Sequence, residues 1–208
     1  DRGEYRFFHV PAGGTYQSGT YTVESDASQA GYFWASAAIT GADIKVKGIR
    51  RDSIQGDVRI ISLLEAMGCR SVEETDGIRL IGGPLTAIHA DMADMPDMVP
   101  TLAVAAAFAR GTTVISNVAH LKDKESNRLN AVVQELNKMG ITAACTDDGM
   151  TIRGGTPRGA AIETYHDHRI AMSFAMAGLM TPGIDIQDPT CVEKSFPDFW
   201  NVFNTLYK

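Results

Sequence analysis

The sequence repeats itself, and this repeat limits the possible folds more than any other feature. Asp-Gly-Ile-Arg-Leu-Ile-Gly-Gly at 76–83 returns 72 residues later as Asp-Gly-Met-Thr-Ile-Arg-Gly-Gly at 148–155. Before each copy, apolar residues at helical spacing lead to a Met-Gly pair, at 67–68 and at 139–140. This spacing predicts an amphipathic helix that ends at a glycine, and Asp-Gly between apolar runs predicts a β-hairpin. A repeat of this length predicts a domain built from copies of one supersecondary unit.

Each copy also begins alike, with an aspartate before a helix of small residues. Asp26, Asp97 and Asp167 hold this position, where one interpretation is that each caps the N-terminus of its helix, and a β-branched run follows each helix. Each unit is therefore predicted to run strand, helix, strand, helix and hairpin. The third copy ends after its second helix, so we predict an α/β fold with pseudo-threefold symmetry and an incomplete third unit. The predicted repeats are residues 21–84, 85–156 and 157–208, approximately.

Residues 1–20 match no copy of the repeat. Phe7–Val10 is predicted to be a short strand, and the proline and glycines after it are typical of a linker. We expect this segment to be an inter-domain strand and linker from a preceding half of the protein. Residues 21–208 are expected to form one domain.

The composition excludes several classes of protein. Of the 208 residues, 44% are hydrophobic and 21% are charged, which is typical of a soluble globular protein. No apolar run approaches the ~20 residues of a membrane span. The net charge of −6 argues against a broad nucleic-acid or membrane surface, and three scattered cysteines indicate reduced thiols. We predict a cytoplasmic protein with no nucleic-acid or membrane partner, whose anionic ligands are small.

The second unit carries charges that the first unit lacks. They lie in His-Leu-Lys-Asp-Lys-Glu-Ser-Asn-Arg at 120–128, directly before an amphipathic helix. Helical spacing places Glu125 and Arg128 on the stripe that faces the core. One interpretation is a helix cap formed by Ser126 or Asp123. The other is an anion site at the helix N-terminus, where a Glu125 beside bound anions would have a raised pKa and could donate a proton.

The sequence offers two weak candidates for a metal site. His166 and His168 flank Asp167, but no third ligand stands at a useful spacing. Aspartates at 91, 94 and 97 lie beside Pro96, and this pattern favours a helix cap with solvated neighbours over a cation site. We therefore predict that the protein binds no metal.

The helix starts of the units are predicted to converge on one rim. Several cations and helix dipoles at that rim fit a ligand that carries phosphate and carboxylate groups. The residues alone do not identify a reaction. The predicted rim consists of Asp97, Lys124, Glu125, Arg128, Asp167, His168, Arg169 and Lys194.

Four motifs in order resemble the 5-enolpyruvylshikimate-3-phosphate synthase family. They are Pro-Asp at 96–97 leading into Pro-Thr-Leu-Ala, Lys-Glu-Ser-Asn-Arg at 124–128, Asp-His-Arg at 167–169 and Lys-Ser-Phe-Pro-Asp at 194–198. The resemblance runs from about Tyr16 to the end of the chain. It implies an enolpyruvyl-transferase-like fold of two domains, each with threefold-repeated α/β units. This chain would be the C-terminal half, whose third unit is completed by the opening strands of the full-length chain.

The resemblance also implies an activity. The enolpyruvyl group of phosphoenolpyruvate would be transferred to the 5-hydroxyl of shikimate 3-phosphate with release of phosphate, a step in aromatic amino acid biosynthesis. No metal or organic cofactor takes part. The partners would be these two substrates and the N-terminal half of the same enzyme, without which this half would be inactive.

Residue roles follow from the resemblance by position. Asp97 resembles the carboxylate near the 5-hydroxyl and would be the base, and Glu125 resembles the acid that protonates the methylene carbon of phosphoenolpyruvate. Lys124 resembles a shikimate 3-phosphate contact, and Asp167 and His168 flank the site. The cations that would hold phosphoenolpyruvate are Arg128, Arg169 and Lys194.

Two positions depart from the family pattern. Asn127 replaces an aspartate that is common in the second motif, which is expected to alter local support. His120 stands where relatives often have an asparagine that contacts shikimate.

Two alternatives belong beside this interpretation. One is the related UDP-N-acetylglucosamine enolpyruvyl transferase, whose relatives lack the Lys-Glu-Ser-x-Arg and Asp-His-Arg pair. The other is a non-catalytic repeat domain that binds an anion. The first interpretation predicts that the full-length protein releases phosphate from phosphoenolpyruvate and shikimate 3-phosphate, whereas a pure binder would release none.

Overall fold

The first unit pairs two helices with a three-stranded antiparallel sheet. In this computed structural model, which describes residues 7–207, the sheet order is β1-β3-β2. Gly77 is fixed by this pairing, because a Cβ there would overlap the carbonyl oxygen of Val46 on β1. The elements of the unit are α1 (Ala27–Thr40), β1 (Asp43–Lys47), α2 (Ile60–Ala66), β2 (Arg70–Glu74) and β3 (Gly77–Ile81).

The second unit has the full predicted order of strand, helix, strand, helix and hairpin. Its sheet order is β4-β5-β7-β6, in which β4 and β5 are parallel and the other pairs are antiparallel. Gly149 repeats the role of Gly77, since a Cβ there would overlap the carbonyl oxygen of Ile115. The elements are β4 (His89–Asp91), α3 (Val99–Ala107), β5 (Thr112–Ser116), α4 (Arg128–Lys138), β6 (Thr142–Cys145) and β7 (Met150–Arg153).

The described part of the third unit has two strands and two helices. The strands pair in parallel, and no hairpin follows α6 within the residues up to 207. The α/β fold is confirmed, while the repeat boundaries stay predictions. The elements are β8 (Ala161–Ile162), α5 (His168–Gly178), β9 (Asp185–Ile186) and α6 (Phe199–Asn204).

The small-residue helices α1, α3 and α5 pack on one another in the interior of the fold. All nine residues of α3 are buried, and small side chains allow such close approach of helix backbones. Thr101 and Ser173 join α3 to α5 through hydroxyls 3.2 Å apart. The three helix N-termini are thereby held in one region, which is where the charged motifs lie.

The prediction of a strand at Phe7–Val10 is wrong for the described structure. Residues 7–26 contain no helix or strand, and the side chains of Phe7 and Phe8 are exposed. No described strand offers its backbone to this segment, so its apolar residues bury nothing. The opening strand predicted for the first unit is absent for the same reason. None of the helices in residues 7–207 combines the length and apolar character that crossing a bilayer requires.

Candidate active site

Arg128 is the centre of the charged cluster. It is the first residue of α4, and its side chain is only 1% exposed. Nε donates to Oδ2 of Asp167 at 2.7 Å, and Nη1 donates to Oδ1 of Asp97 at 2.9 Å. Nη2 donates to Oε2 of Glu125 at 2.7 Å. The planar guanidinium can serve several carboxylates at once, and a buried charge has to be paired in this way.

Asp97 does not cap a helix, in contrast to the hypothesis made for all three repeated aspartates. It lies in a 3-10 turn, Pro96–Met98, just before α3. Besides its bond to Arg128, the carboxylate forms two further ion pairs. Its Oδ2 lies 2.9 Å from Nη2 of Arg169, and its Oδ1 lies 3.5 Å from Nζ of Lys124. Burial raises the pKa of Asp97, but Arg169, Arg128 and Lys124 together hold it below its ordinary value. The carboxylate is therefore ionised and able to accept a proton.

Asp167 both caps a helix and binds Arg128. The carboxylate is completely buried and accepts the backbone N–H of Arg169 at 2.9 Å, as an N-cap of α5. It also accepts the hydroxyl of Ser126 at 3.0 Å. Asp26 caps α1 in a similar way, through Gln29 N. The capping hypothesis thus holds for Asp26 and Asp167 only.

Glu125 lies in the turn before α4 and not on its core-facing stripe. The helix begins at Arg128 and is capped by Asn127, whose side chain accepts from Asn130 N at 3.2 Å. The predicted caps Ser126 and Asp123 are therefore wrong. The cap is instead Asn127, the residue that replaces the aspartate common in this motif.

The chain's own groups lower the pKa of Glu125, and the increase expected beside bound anions stays a prediction. Its Oε1 accepts from Nζ of Lys194 at 3.0 Å. Burial raises the pKa, but a backbone N–H, the Lys194 ammonium and the Arg128 guanidinium outweigh burial and bring the pKa to about 2. The prediction considered anions bound nearby, whereas the chain's own cations surround this carboxylate and stabilise its charge.

Lys194 and Lys124 are the accessible cations of the cluster. Their side chains are 60% and 33% exposed, against 15% for Arg169. Lys194 ends a 3-10 helix, Pro189–Lys194, and the next residue is tied to α1 because Gln29 Nε2 donates to the Ser195 carbonyl at 2.7 Å. The sequence alone did not single out Gln29, since its partner lies 166 residues away.

Tyr32 is a second residue that the sequence did not single out. It is 1% exposed on α1, where the pattern indicated only a core aromatic. Burial raises its pKa to about 12 against the opposing effect of Arg169. Burial lowers the pKa of Arg169, but Tyr32 and Asp97 raise it overall, so Arg169 stays charged.

The two predicted histidines lie in different environments. His168 is 5% exposed, and its Nδ1 has no hydrogen-bond partner among residues 7–207. Burial, followed by Arg169, lowers its pKa, so the ring is neutral near pH 7. His120 is exposed in the 3-10 helix Ala119–Asp123, and within the described chain no hydrogen bond or ion pair joins it to the cluster. Seven of the predicted residues therefore form one ion-pair network, His168 borders it, and His120 does not join it.

The network suits a small anion. Four cations face three carboxylates, so its side chains carry one net positive charge. Within residues 7–207, no group of three or more His, Cys, Asp or Glu side chains has the arrangement of a metal site. The ionised carboxylates can take up protons, and the cations can hold phosphate or carboxylate groups.

Solved structures place the fold among enolpyruvyl transferases. The enolpyruvyl transferase NikO from Streptomyces tendae is similar with a TM-score of 0.72, over 89% of this chain and 44% of that one. At 20% identity this likeness concerns the fold alone. An EPSP synthase from Acinetobacter baumannii is similar with a TM-score of 0.79 and 36% identity, over 88% of this chain and 46% of that one.

The sequence comparisons define the family. The family model for EPSP synthase (3-phosphoshikimate 1-carboxyvinyltransferase) matches residues 2–203, and the chain belongs to this family. A 3-phosphoshikimate 1-carboxyvinyltransferase from Syntrophobacter fumaroxidans is 50% identical over 200 residues, which are 95% of this chain and 47% of that protein. One from a Nostoc species is 47% identical over 197 residues, 94% of this chain and 46% of that protein. The chain spans about half the length of the curated relatives it matches.

Proposed function

We propose that this chain is the C-terminal half of an enzyme that transfers the enolpyruvyl group of phosphoenolpyruvate to shikimate 3-phosphate. The observation that carries the proposal is the buried Arg128, which binds Asp97, Glu125 and Asp167 in a chain of this family. We also propose that the protein is cytoplasmic and that its partner is the other half of the enzyme. The names of the relatives support this transferase over the two alternatives.

Two carboxylates of the network divide the proton transfers. In the first step the 5-hydroxyl oxygen of shikimate 3-phosphate bonds to C2 of phosphoenolpyruvate. Asp97 takes the hydroxyl proton, and Glu125 gives a proton to the methylene carbon. In the second step Glu125 takes a proton back from the new methyl group, a double bond forms between that carbon and C2, and the bond from C2 to the phosphate oxygen breaks. Inorganic phosphate departs with the proton that Asp97 had taken, so both carboxylates return to their starting states.

The cations hold the anionic groups during these steps. Lys194, Arg169 and Arg128 bind the phosphate and carboxylate of phosphoenolpyruvate, and Lys124 contacts shikimate 3-phosphate. Lys194 is the most exposed of these side chains and is therefore the most accessible of the four cations. Arg128 is already bound to three carboxylates, so its larger role is to fix the positions of the acid and the base.

Substrate binding has to raise the pKa of Glu125 before it can act as an acid. With a pKa of about 2, this carboxyl carries no proton at neutral pH. Phosphoenolpyruvate competes with Glu125 for Lys194 and Arg128 and brings negative charge close to the carboxylate. Both effects favour the protonated form, so binding is expected to take up a proton.

The test uses a protein of full family length. The 208 residues are joined to the part of the Syntrophobacter relative that they do not match, and phosphate release from phosphoenolpyruvate is measured. We expect release with shikimate 3-phosphate and none with UDP-N-acetylglucosamine. The unmodified relative serves as the control. Release only with UDP-N-acetylglucosamine, or with neither acceptor while the control is active, would contradict the proposal.

A further inference from the structure

The turn that leads into Asp167 is held in an unfavourable backbone conformation. Tyr165 and His166 have φ values of 55° and 54°, and the N–H of Asp167 donates to the Thr164 carbonyl at 2.8 Å. Consecutive residues with positive φ at the centre of a turn are usually glycine or asparagine. Tyrosine and histidine gain nothing from this conformation by themselves, so contacts outside the turn have to maintain it.

A buried carboxylate on α4 provides these contacts. Glu135 is completely buried, and its Oε1 accepts the hydroxyl of Tyr165 at 2.7 Å. Its Oε2 accepts the N–H of Glu163 at 3.1 Å and Nζ of Lys138 at 2.8 Å. Glu135 therefore binds the chain on both sides of Thr164, where the turn begins.

The hydroxyl of Tyr165 is a lasting donor to this carboxylate. Gln134 Oε1 also lies 2.8 Å from the hydroxyl oxygen. The hydroxyl has one proton to donate, and its hydrogen bond to the charged carboxylate is stronger than one to an amide oxygen. Burial and the neighbouring Glu135 raise the pKa of Tyr165, which keeps the hydroxyl protonated. On the other side of the turn, Nδ1 of the exposed His166 ring lies 3.0 Å from Oδ2 of Asp188. An exposed pair of this kind contributes little.

The same helix carries Glu135 and Arg128. They are separated by two helical turns, so they lie on the same face of α4. Arg128 binds Asp167, and Glu135 binds Tyr165, which stands two residues before Asp167. The turn is thus attached to one face of α4 at two points, and only the Arg128 point belongs to the anion site.

We propose that Glu135 and Tyr165 are positioning residues: they hold the left-handed turn that places Asp167 against Arg128 and Arg169 against Asp97. The kinetic part of this inference rests on the proposed function. Its structural part concerns the backbone of residues 164–169 and stands without it.

The structural test compares Tyr165→Phe with Tyr207→Phe, an equal change at a tyrosine outside the network. Carbon chemical shifts and amide couplings of the labelled 208-residue chain report the sign of φ at 165 and 166. In Tyr165→Phe we expect the positive φ values to be lost and the amide resonances of Asp167, His168 and Arg169 to move. In Tyr207→Phe these signals should stay in place. An unchanged turn in Tyr165→Phe would overturn the proposal.

The kinetic test uses the joined full-length protein. A lost hydrogen bond to a charged group corresponds to a change on the order of 10-fold. We expect the KM for phosphoenolpyruvate to rise by about this factor in Tyr165→Phe, with the KM for shikimate 3-phosphate changed far less. Glu135→Gln keeps an acceptor and should show a smaller effect than Tyr165→Phe. A lower Tm with both KM values unchanged would overturn the positioning role. If the joined protein releases no phosphate at all, the proposed function fails, and the backbone signals still decide this inference.

Discussion

The first and second units share a scaffold and differ sharply where their second helix begins. The position of Arg128, counted back by the repeat of 72 residues, is Gly56. A Cβ at Gly56 would lie 2.6 Å from the carbonyl oxygen of Asp94, so the first unit has no space for a side chain there. The nearby Arg59 instead forms an exposed pair with Asp94 at 3.1 Å. The hairpins and helices are thus repeated, and the buried charged network lies where the second unit departs from the first.

Burial explains why this difference matters. The Arg59–Asp94 pair has side chains that are 50% and 75% exposed, and such pairs contribute about 0–1 kcal/mol. The Arg128–Asp167 pair has side chains that are 1% and 0% exposed, so removing either partner leaves the other charge buried without a counterion. A cluster of this kind holds its members in fixed positions, which catalysis requires.

The largest effect is expected from Glu125→Gln in the joined full-length protein. If Glu125 donates the proton, turnover should fall by about 10²–10⁴ with little change in substrate binding. Glu65→Gln in the first unit, where the carboxylate pairs with Arg51, should leave turnover unchanged. Steady-state phosphate release measures both. Near-normal turnover of Glu125→Gln would contradict a catalytic role for Glu125, because the second unit would then be no more sensitive to such a change than the first.

Arg128→Ala should destabilise the fold far more than Arg59→Ala. Removing Arg128 leaves Asp167 buried without its counterion, which costs about 3–5 kcal/mol, whereas loss of an exposed pair costs about 0–1 kcal/mol. Urea unfolding of the chain compares the two variants. Equal losses would mean that the buried network is no more tightly held than the surface pair. Because of this instability, Arg128→Ala is a poor test of ligand binding.

Lys194→Ala tests ligand binding without disturbing the core. The exposed ammonium is a charged donor, and its loss should raise the KM for phosphoenolpyruvate by about 10–100-fold. The KM for shikimate 3-phosphate should change much less. Lys122→Ala, which removes a lysine that donates to the Asp147 carbonyl, is the matched control. Equal weakening of both substrates would contradict the assignment.

The smallest effect is a shift in the titration of Glu125. Its pKa of about 2 lies below the ordinary value of 4.5, so the charged form stabilises the fold above pH 4.5 and this contribution disappears as the pH falls toward 2. In Lys194→Ala the pKa should rise toward the ordinary value, because one cation is lost. Carbon NMR of the Glu125 carboxyl follows the titration. A midpoint that is the same in both proteins would show that Lys194 does not control this carboxylate.

The sequence predicted the repeated elements well because their signals are local. A strand, Thr112–Ser116, follows the small-residue helix of the second unit as predicted, and the predicted helix follows Asp26. The missing strand at Phe7–Val10 was predicted from apolar residues alone, but a strand also needs a partner backbone. Sequence repetition indicates which elements recur, not which neighbours they find.

The sequence predicted which residues form the site better than it predicted their contacts. Seven predicted residues meet in one network, but the predicted helix cap at Asp97 and the predicted core-facing position of Glu125 were wrong. Contacts between residues far apart in sequence, such as Lys194 with Glu125, decide how these carboxylates are paired. The sequence did not single out Tyr32 or Glu135. A tyrosine in an apolar helix is usually a core residue, and a glutamate in an amphipathic helix usually lies on the solvent-exposed face. Only the folded chain shows that both are buried.

The central claim is that these residues are half of an active site. It is tested most directly by adding phosphoenolpyruvate and shikimate 3-phosphate to the purified 208-residue chain and measuring phosphate release. We expect no release from the chain alone and release from the joined full-length protein, because groups from the other half have to close around the reacting atoms. Phosphate release by the 208-residue chain on its own would contradict it.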